Sequence, residues 1–220
     1  MDKRYDILEL ISQRENSEMS AENADMVSIA SIFGNTKGNG GENEAEPCKS
    51  SNDVTDINER EKRIAEKWSK DNDCWIPFAN LFSIGMPGPS GSESDTFISN
   101  DGYVYKVNNL MHCHDSILLT LERFILYNQL FPDVAYTFVG FTGFDGRTVM
   151  PVLRQRYIKN CVPATNNEID CYMAALGFEK ESVGTFYNKD FRLSDVLPKN
   201  VLKDDSGDVF VIDVEIHLSI

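Results

Sequence analysis

The spacing of apolar residues changes character several times along the chain. In YDILELISQR, near the start, Ile7, Leu8, Leu10 and Ile11 fall on one side of a short amphipathic helix. That segment reads either as a partner-binding motif or as the frayed helix of a tail. From Asn35 through Asn58 the run NTKGNGGENEAEPCKSSNDVTDIN has almost no large apolar side chains and cannot build a core. Residues 1–57 are therefore expected to form a disordered acidic tail and linker, with the folded domain spanning 58–220. Order is expected to begin in NEREKRIAEKWSKDN, where Ile64, Ala65 and Trp68 recur at helical spacing among charges, the pattern of a surface helix. CWIPFANLFSIG is apolar and aromatic, and MPGPSGSES then supplies turn residues in bulk.

Two β-prone runs follow, DTFIS and GYVYKV, joined by NDG. Asn, Asp and Gly tolerate the positive φ of tight turns, so this predicts a hairpin. HDSILLTLERFILYNQLF has the 3.6-residue period and the length of a helix that stops before Pro132. AYTFVGF and RTVMPVLRQRYI, separated by TGFDG, predict a second hairpin. ATNNEIDCYMAALGF predicts a helix with Thr165 as N-cap, Glu168 at the capping-box position three residues on, and Gly177 near its end. Strands, helix, strands, helix and a final strand-rich loop region give an α+β class. The sequence carries no internal repeat.

Composition narrows the functions open to such a fold. A formal charge of −14 with a sequence pI near 4.6 argues against nonspecific binding to nucleic acid or to anionic membranes, since both need a basic surface. No apolar run suits a membrane span or a secretion signal, so the expected location is cytoplasmic. The five cysteines, Cys48, Cys74, Cys113, Cys161 and Cys171, are scattered without a C-x-x-C pair and suit reduced thiols. His112, Cys113 and His114 are the sharpest metal candidate, but consecutive residues rarely converge on one ion; the competing reading is a loop leading into the following helix.

The stretch LSDVLPKNVLKDDSGDVFVID raises a sharper possibility. Asp195 and Asn200, separated by four residues, can share one tight loop, and Asp213 ends the apolar run VFVI with its carboxylate at a sheet edge. Each alone is ordinary turn chemistry. Together they supply the hard oxygen ligands that magnesium takes alongside water and substrate phosphates. Phosphoryl transfer from ATP also needs a lysine on the phosphates and a loop over them. Lys106, inside YVYKV, is a candidate, although on an alternating strand it could face solvent. Glu122, between Leu121 and Arg123 in the predicted helix, could reach inward to pair with Lys106 or stay exposed beside Arg123.

DVLPKNVL followed by VFVIDVE resembles the catalytic loop and metal-binding aspartate of protein kinases, H-R-D-x-x-x-x-N and then D-F-G. With PSGSESDTFISNDGYVYKV, YTFVGF, PVLRQRYI and ATNNEIDCYMAALGF, it resembles more narrowly the kinase-like domains of polyvalent proteins of bacterial mobile elements and their stand-alone relatives. The resemblance covers residues from about 75 to 217. It implies a protein-kinase-like two-lobe fold, with a small antiparallel sheet plus helix and a truncated helical lobe. It also implies ATP and Mg as ligands, with Asp195 as catalytic aspartate, Lys106 on the phosphates with Glu122 as partner, and Asn200 and Asp213 on the metal. Gly91, Ser92 and Ser94 fall in the phosphate loop, and Gln155 and Tyr157 near the hinge that touches adenine.

The departures from the family pattern carry expectations of their own. Pro89 and Ser94 stand where the first and third loop glycines would be, which stiffens the loop and removes a backbone donor. Leu193 and Ser194 replace the His and Arg before Asp195, so activation through a phosphorylated loop and that arginine is not expected. Val214 and Glu215 replace Phe and Gly. The sequence continues only seven residues past Asp213, implying a reduced second lobe that a protein partner could complete. The readings left open are a phosphotransferase acting on an unknown protein or small-molecule acceptor, an inactive pseudokinase serving as a protein-interaction module, and an α+β structural protein.

Overall fold

A computed structural model describes residues 20–34, 51–144 and 148–219, with only the backbone of 51–53. YDILELISQR and most of the expected linker lie outside these residues. The described chain forms five α-helices and thirteen strands: α1 (Ala21–Gly34), α2 (Ser51–Asp71), β1 (Trp75–Pro77), α3 (Leu81–Ile84), β2 (Met86–Pro87), β3 (Ser94–Ile98), β4 (Tyr103–Asn108), α4 (Ile117–Leu130), β5 (Tyr136–Gly143), β6 (Met150–Arg156), β7 (Cys161–Pro163), α5 (Asn166–Ala175), β8 (Glu179–Ser182), β9 (Thr185–Tyr187), β10 (Phe191–Ser194), β11 (Val201–Asp204), β12 (Val209–Val211) and β13 (Glu215–Leu218). The class is α+β. The described residues divide into two compact units, one holding those up to Ile125 with those of Tyr136–Gln155, the other Leu126–Ala135 with 156–219. No described helix is long and apolar enough to cross a membrane.

The first unit is organised by a six-stranded sheet in the order β1-β5-β6-β4-β3-β2. Its β3–β4 hairpin falls where NDG predicts it. Asp101 accepts from Tyr103 N at 3.1 Å and from the Tyr105 hydroxyl at 2.8 Å, and Gly102 takes φ +90°. The expected small antiparallel sheet is larger and mixed, because β1 runs parallel to β5. Gly140 makes that approach possible: a Cβ there would lie 2.0 Å from the Cys74 carbonyl oxygen. One cluster of Leu81, Phe97, Val107, Met150 and Val152, joined by Ile76, Phe78 and Ile84, converts the apolar CWIPFANLFSIG run into core.

The expected disordered tail needs correction. α1 is a packed helix with Asn23, Met26, Ile29, Ala30 and Phe33 buried, a stripe at helical spacing that packs on β5. Helix α2 begins at Ser51, inside the expected linker, and turns Asn58, Glu61, Ala65 and Ser69 inward while the Trp68 ring sits edge-on to Phe141. Low apolar density hid the start of α2, because a helix docking on an existing sheet needs only one narrow stripe; α1 itself carries Met26, Val27, Ile29, Ile32 and Phe33 within AENADMVSIASIFG. Asn23 Nδ2 donates to the Ile125 carbonyl at 3.3 Å, tying α1 to α4. The buried Glu61 carboxylate accepts from Ile117 N at 2.7 Å and from the Ser116 hydroxyl at 3.0 Å, so α2 caps the N-terminus of α4.

The second unit also departs from expectation. In place of a truncated helical lobe it is mainly strands: a four-stranded sheet, β13-β10-β9-β8, and a three-stranded one, β12-β11-β7. Short strands bounded by turn residues form hairpins here, and α5 is the one α-helix lying wholly inside the unit among the described residues. α5 begins with the expected capping box. The Thr165 hydroxyl accepts from Glu168 N at 3.4 Å, Glu168 Oε2 accepts from Thr165 N at 2.8 Å, and Gly177 takes φ +82° beyond its end.

Candidate functional site

In the first unit, Lys106 lies on β4 opposite Thr96 of β3, half-buried. Its ammonium donates to the Tyr136 hydroxyl at 2.6 Å. Tyr136 is fully buried on β5, with its ring edge-on to Phe124 of α4 at 4.6 Å. Lys106 is thus not the solvent-facing side chain that strand alternation alone permits. Glu122 is fully buried on α4, so it does not stay exposed beside Arg123. Arg123, beside it, pairs with Glu93.

The candidate phosphate segment is a tight, exposed turn. Gly91 N donates to the Ser94 carbonyl at 3.1 Å, and the Thr96 hydroxyl donates to the Pro89 carbonyl at 2.8 Å. The Ser92 carbonyl accepts from Asn109 Nδ2 at 2.7 Å. A Cβ at Gly91 would meet nothing within 4 Å, whereas one at Gly88 would lie 2.7 Å from the Thr96 hydroxyl. The space beside Gly91 is open, and the steric demand for glycine sits at Gly88 instead. Gln155 is buried on β6, opposite Tyr136. The chain leaves the first unit after Gln155, and Tyr157 follows, 41% exposed.

In the second unit, β10 delivers the chain to Asp195, which takes φ +59°. Side chains other than glycine rarely adopt that region, and aspartate is among the exceptions because its short polar side chain bonds locally. Asn200, buried, donates through Nδ2 to the Asp195 carbonyl at 2.9 Å and to Asp195 Oδ2 at 2.8 Å. Lys199 adds an ion pair to the same carboxylate oxygen at 2.9 Å. The six-residue loop is therefore a closed device: its first residue is held by its last two, with Asn200 N donating to the Leu197 carbonyl at 2.8 Å.

Asn200 leads into β11, and Asp213 follows β12, two strands paired antiparallel with Val201 opposite Val211. Ile212 N donates to the Asn200 carbonyl at 2.8 Å, so Asn200 and the exposed Asp213 stand at the same end of one hairpin. At the other end Gly207 takes φ +91°, and Asp204 Oδ1 accepts from Ser206 N at 2.9 Å and Asp208 N at 3.0 Å. The Tyr127 hydroxyl donates to the Val211 carbonyl, anchoring β12 to the last turn of α4.

The described residues hold no group of three or more His, Cys, Asp or Glu side chains arranged for a metal. His112 and His114 are exposed while Cys113 is buried, and burial pushes its thiol up, away from the thiolate that a metal needs. HCH is the loop leading into α4. The hairpin end offers a thinner set: with Nδ2 of Asn200 spent on Asp195, its Oδ1 and the Asp213 carboxylate are the available oxygens. Two protein oxygens suit magnesium, which keeps waters and takes phosphate oxygens, and suit no all-protein cage.

Sequence reasoning missed Tyr136, Glu93, Arg123 and Lys199. Lys199 carried a local signal, lying four residues from Asp195; the other three are joined across separate elements and carried none. Neither a curated protein nor a solved structure matches the chain. Residues 58–220, by contrast, match the serine/threonine/tyrosine kinases found in polyvalent proteins, and the chain belongs to that kinase family.

Proposed function

We propose that this chain binds Mg-ATP and transfers its terminal phosphoryl group to the hydroxyl of a protein or small-molecule acceptor. The observation that carries this reading is the Asp195–Asn200 loop, held closed by two hydrogen bonds and leading into a hairpin whose same end carries Asp213. An acidic group, an amide and a second carboxylate in this order are what kinase chemistry asks of a protein that supplies little covalent work of its own. Lys106, held by Tyr136, is the group for phosphate oxygens, and Gly91, Ser92 and Ser94 line an open turn suited to them.

In the reaction, the bond from the γ-phosphorus to the β–γ bridging oxygen breaks as a new bond forms to the acceptor oxygen. The acceptor proton passes to the Asp195 carboxylate, and ADP leaves. Magnesium, when bound, neutralises phosphate charge; Asn200 Oδ1 and Asp213 are the residues to hold it. Asp195 is pre-aimed because Asn200 and Lys199 both engage Oδ2. That same engagement favours a second reading, nucleotide binding without turnover by a protein-interaction module, because it withdraws one of the two oxygens an acceptor proton could reach.

Calorimetric titration of Mg-ATP into wild type, Asp213→Asn and Asp195→Asn tests both readings. Asparagine tolerates positive φ, so Asp195→Asn removes charge without straining the backbone. Expected outcomes are loss of magnesium-dependent affinity in Asp213→Asn, and affinity retained but phosphate transfer abolished in Asp195→Asn. Wild type that binds but never labels itself or any acceptor supports the second reading. Wild type that does not bind removes both.

A further inference from the structure

The segment carrying Gly91, Ser92 and Ser94 is tied down by a carboxylate. Glu93 Oε1 accepts from Arg123 Nη2 on α4 and from Asn108 Nδ2 at 3.2 Å, and the Glu93 carbonyl accepts from Asn109 N at 2.9 Å. The pair is withdrawn from water: the Arg123 and Glu93 side chains are 11% and 16% exposed, and Asn108 is buried. A carboxylate two residues from Gly91 is a peculiar choice for a turn read as a phosphate cradle. It sets negative charge beside the place where a polyphosphate would bring more, and weak solvent screening there strengthens the repulsion.

We propose that Arg123 is a positioning residue that neutralises and anchors Glu93, so that Pro89–Ser94 can receive the polyphosphate of a nucleotide. The proposal rests on the reading of this turn as part of the nucleotide site. Arg123 acts through Glu93 and does not itself touch the nucleotide. Removing one partner of a withdrawn ion pair leaves the other charge uncompensated, while removing both relieves it. The loss should therefore scale with ligand charge and be reversed in the double variant, which a merely structural role would not produce.

The test titrates Mg-ATP, Mg-ADP and adenosine into wild type, Arg123→Gln, Glu93→Gln and the double variant. In Arg123→Gln, Mg-ATP is expected to bind on the order of tenfold more weakly. Mg-ADP should lose less, adenosine nothing, and the double variant should recover most of the Mg-ATP loss. Equal losses for all three ligands, or no recovery in the double variant, overturns the proposal and leaves the pair a scaffold contact. Wild type that binds neither nucleotide overturns the nucleotide reading and this one with it; wild type that binds, with Arg123→Gln unchanged, overturns this one alone. If Arg123→Gln fails to fold, Arg123→Lys carries the test: it keeps the charge and is expected to hold Mg-ATP nearly as wild type does. A selective loss of Mg-ATP over adenosine in that variant overturns the proposal.

Discussion

At the scale of single residues, Lys106 shows how a strand position becomes a chemical one. Its strand, YVYKV, leaves the direction of the ammonium open, and the 2.6 Å bond to Tyr136 decides it. Tyr136→Phe keeps the ring against Phe124 and removes only the acceptor. A hydrogen bond from a charged donor contributes about 1.5–3 kcal/mol net, so this variant is expected to bind Mg-ATP roughly tenfold more weakly. Adenosine affinity should stay near wild type, while loss of the bond lowers the melting temperature by several degrees. A calorimetric comparison of the two ligands checks this, and an unchanged Mg-ATP affinity would show that the hydroxyl does nothing for Lys106. Asp195 offers the complementary lesson. Its positive φ is invisible in sequence, yet it decides which substitution can be read as a loss of charge alone.

At the scale of elements, α5 formed as its sequence announced because its signals are local. Thr165, Glu168 and Gly177 act within one helix. Thr165→Ala is expected to lower stability by about 1 kcal/mol in denaturant unfolding, the usual worth of an N-cap hydroxyl. Glu168 has a further role, since the Lys203 ammonium and the Thr165 donors hold its carboxyl down at about 2, from an ordinary 4.5. A carboxyl acid-strengthened by folding adds stability that is complete above about 4.5 and lost as pH falls toward about 2. The unfolding midpoint of wild type should accordingly drop more steeply than that of Glu168→Gln across this window, and parallel pH curves would refute the coupling. Helix α4 is the contrasting case: its period was legible, but its N-terminus is capped by Glu61 from α2, a partner 56 residues away from Ile117.

At the scale of the molecule, the family match begins at residue 58, yet α1 and the first turns of α2 precede it. Met26, Ile29, Ala30 and Phe33 are buried in the same unit as Lys106 and Glu122. A chain cut to 58–220 loses that apolar stripe and the Asn23–Ile125 bond, so it should melt well below the full chain and bind more of a hydrophobic dye. Equal melting temperatures would show α1 to be dispensable. The sequence by itself determined the elements with internal signals: the NDG hairpin, the capped α5, the periodic α4, and the Asp195, Asn200 and Asp213 order that carries the kinase resemblance. Those signals work over a few residues, where turn chemistry and helical period act without help from afar. Tertiary structure alone decided that α1 is packed, that the second unit is mainly strands, that Lys106 meets Tyr136, and that Arg123 meets Glu93. Each of these depends on which surfaces are available for burial once other elements have formed, and partners 30 residues apart, as in both of those pairs, leave no periodic trace in the chain.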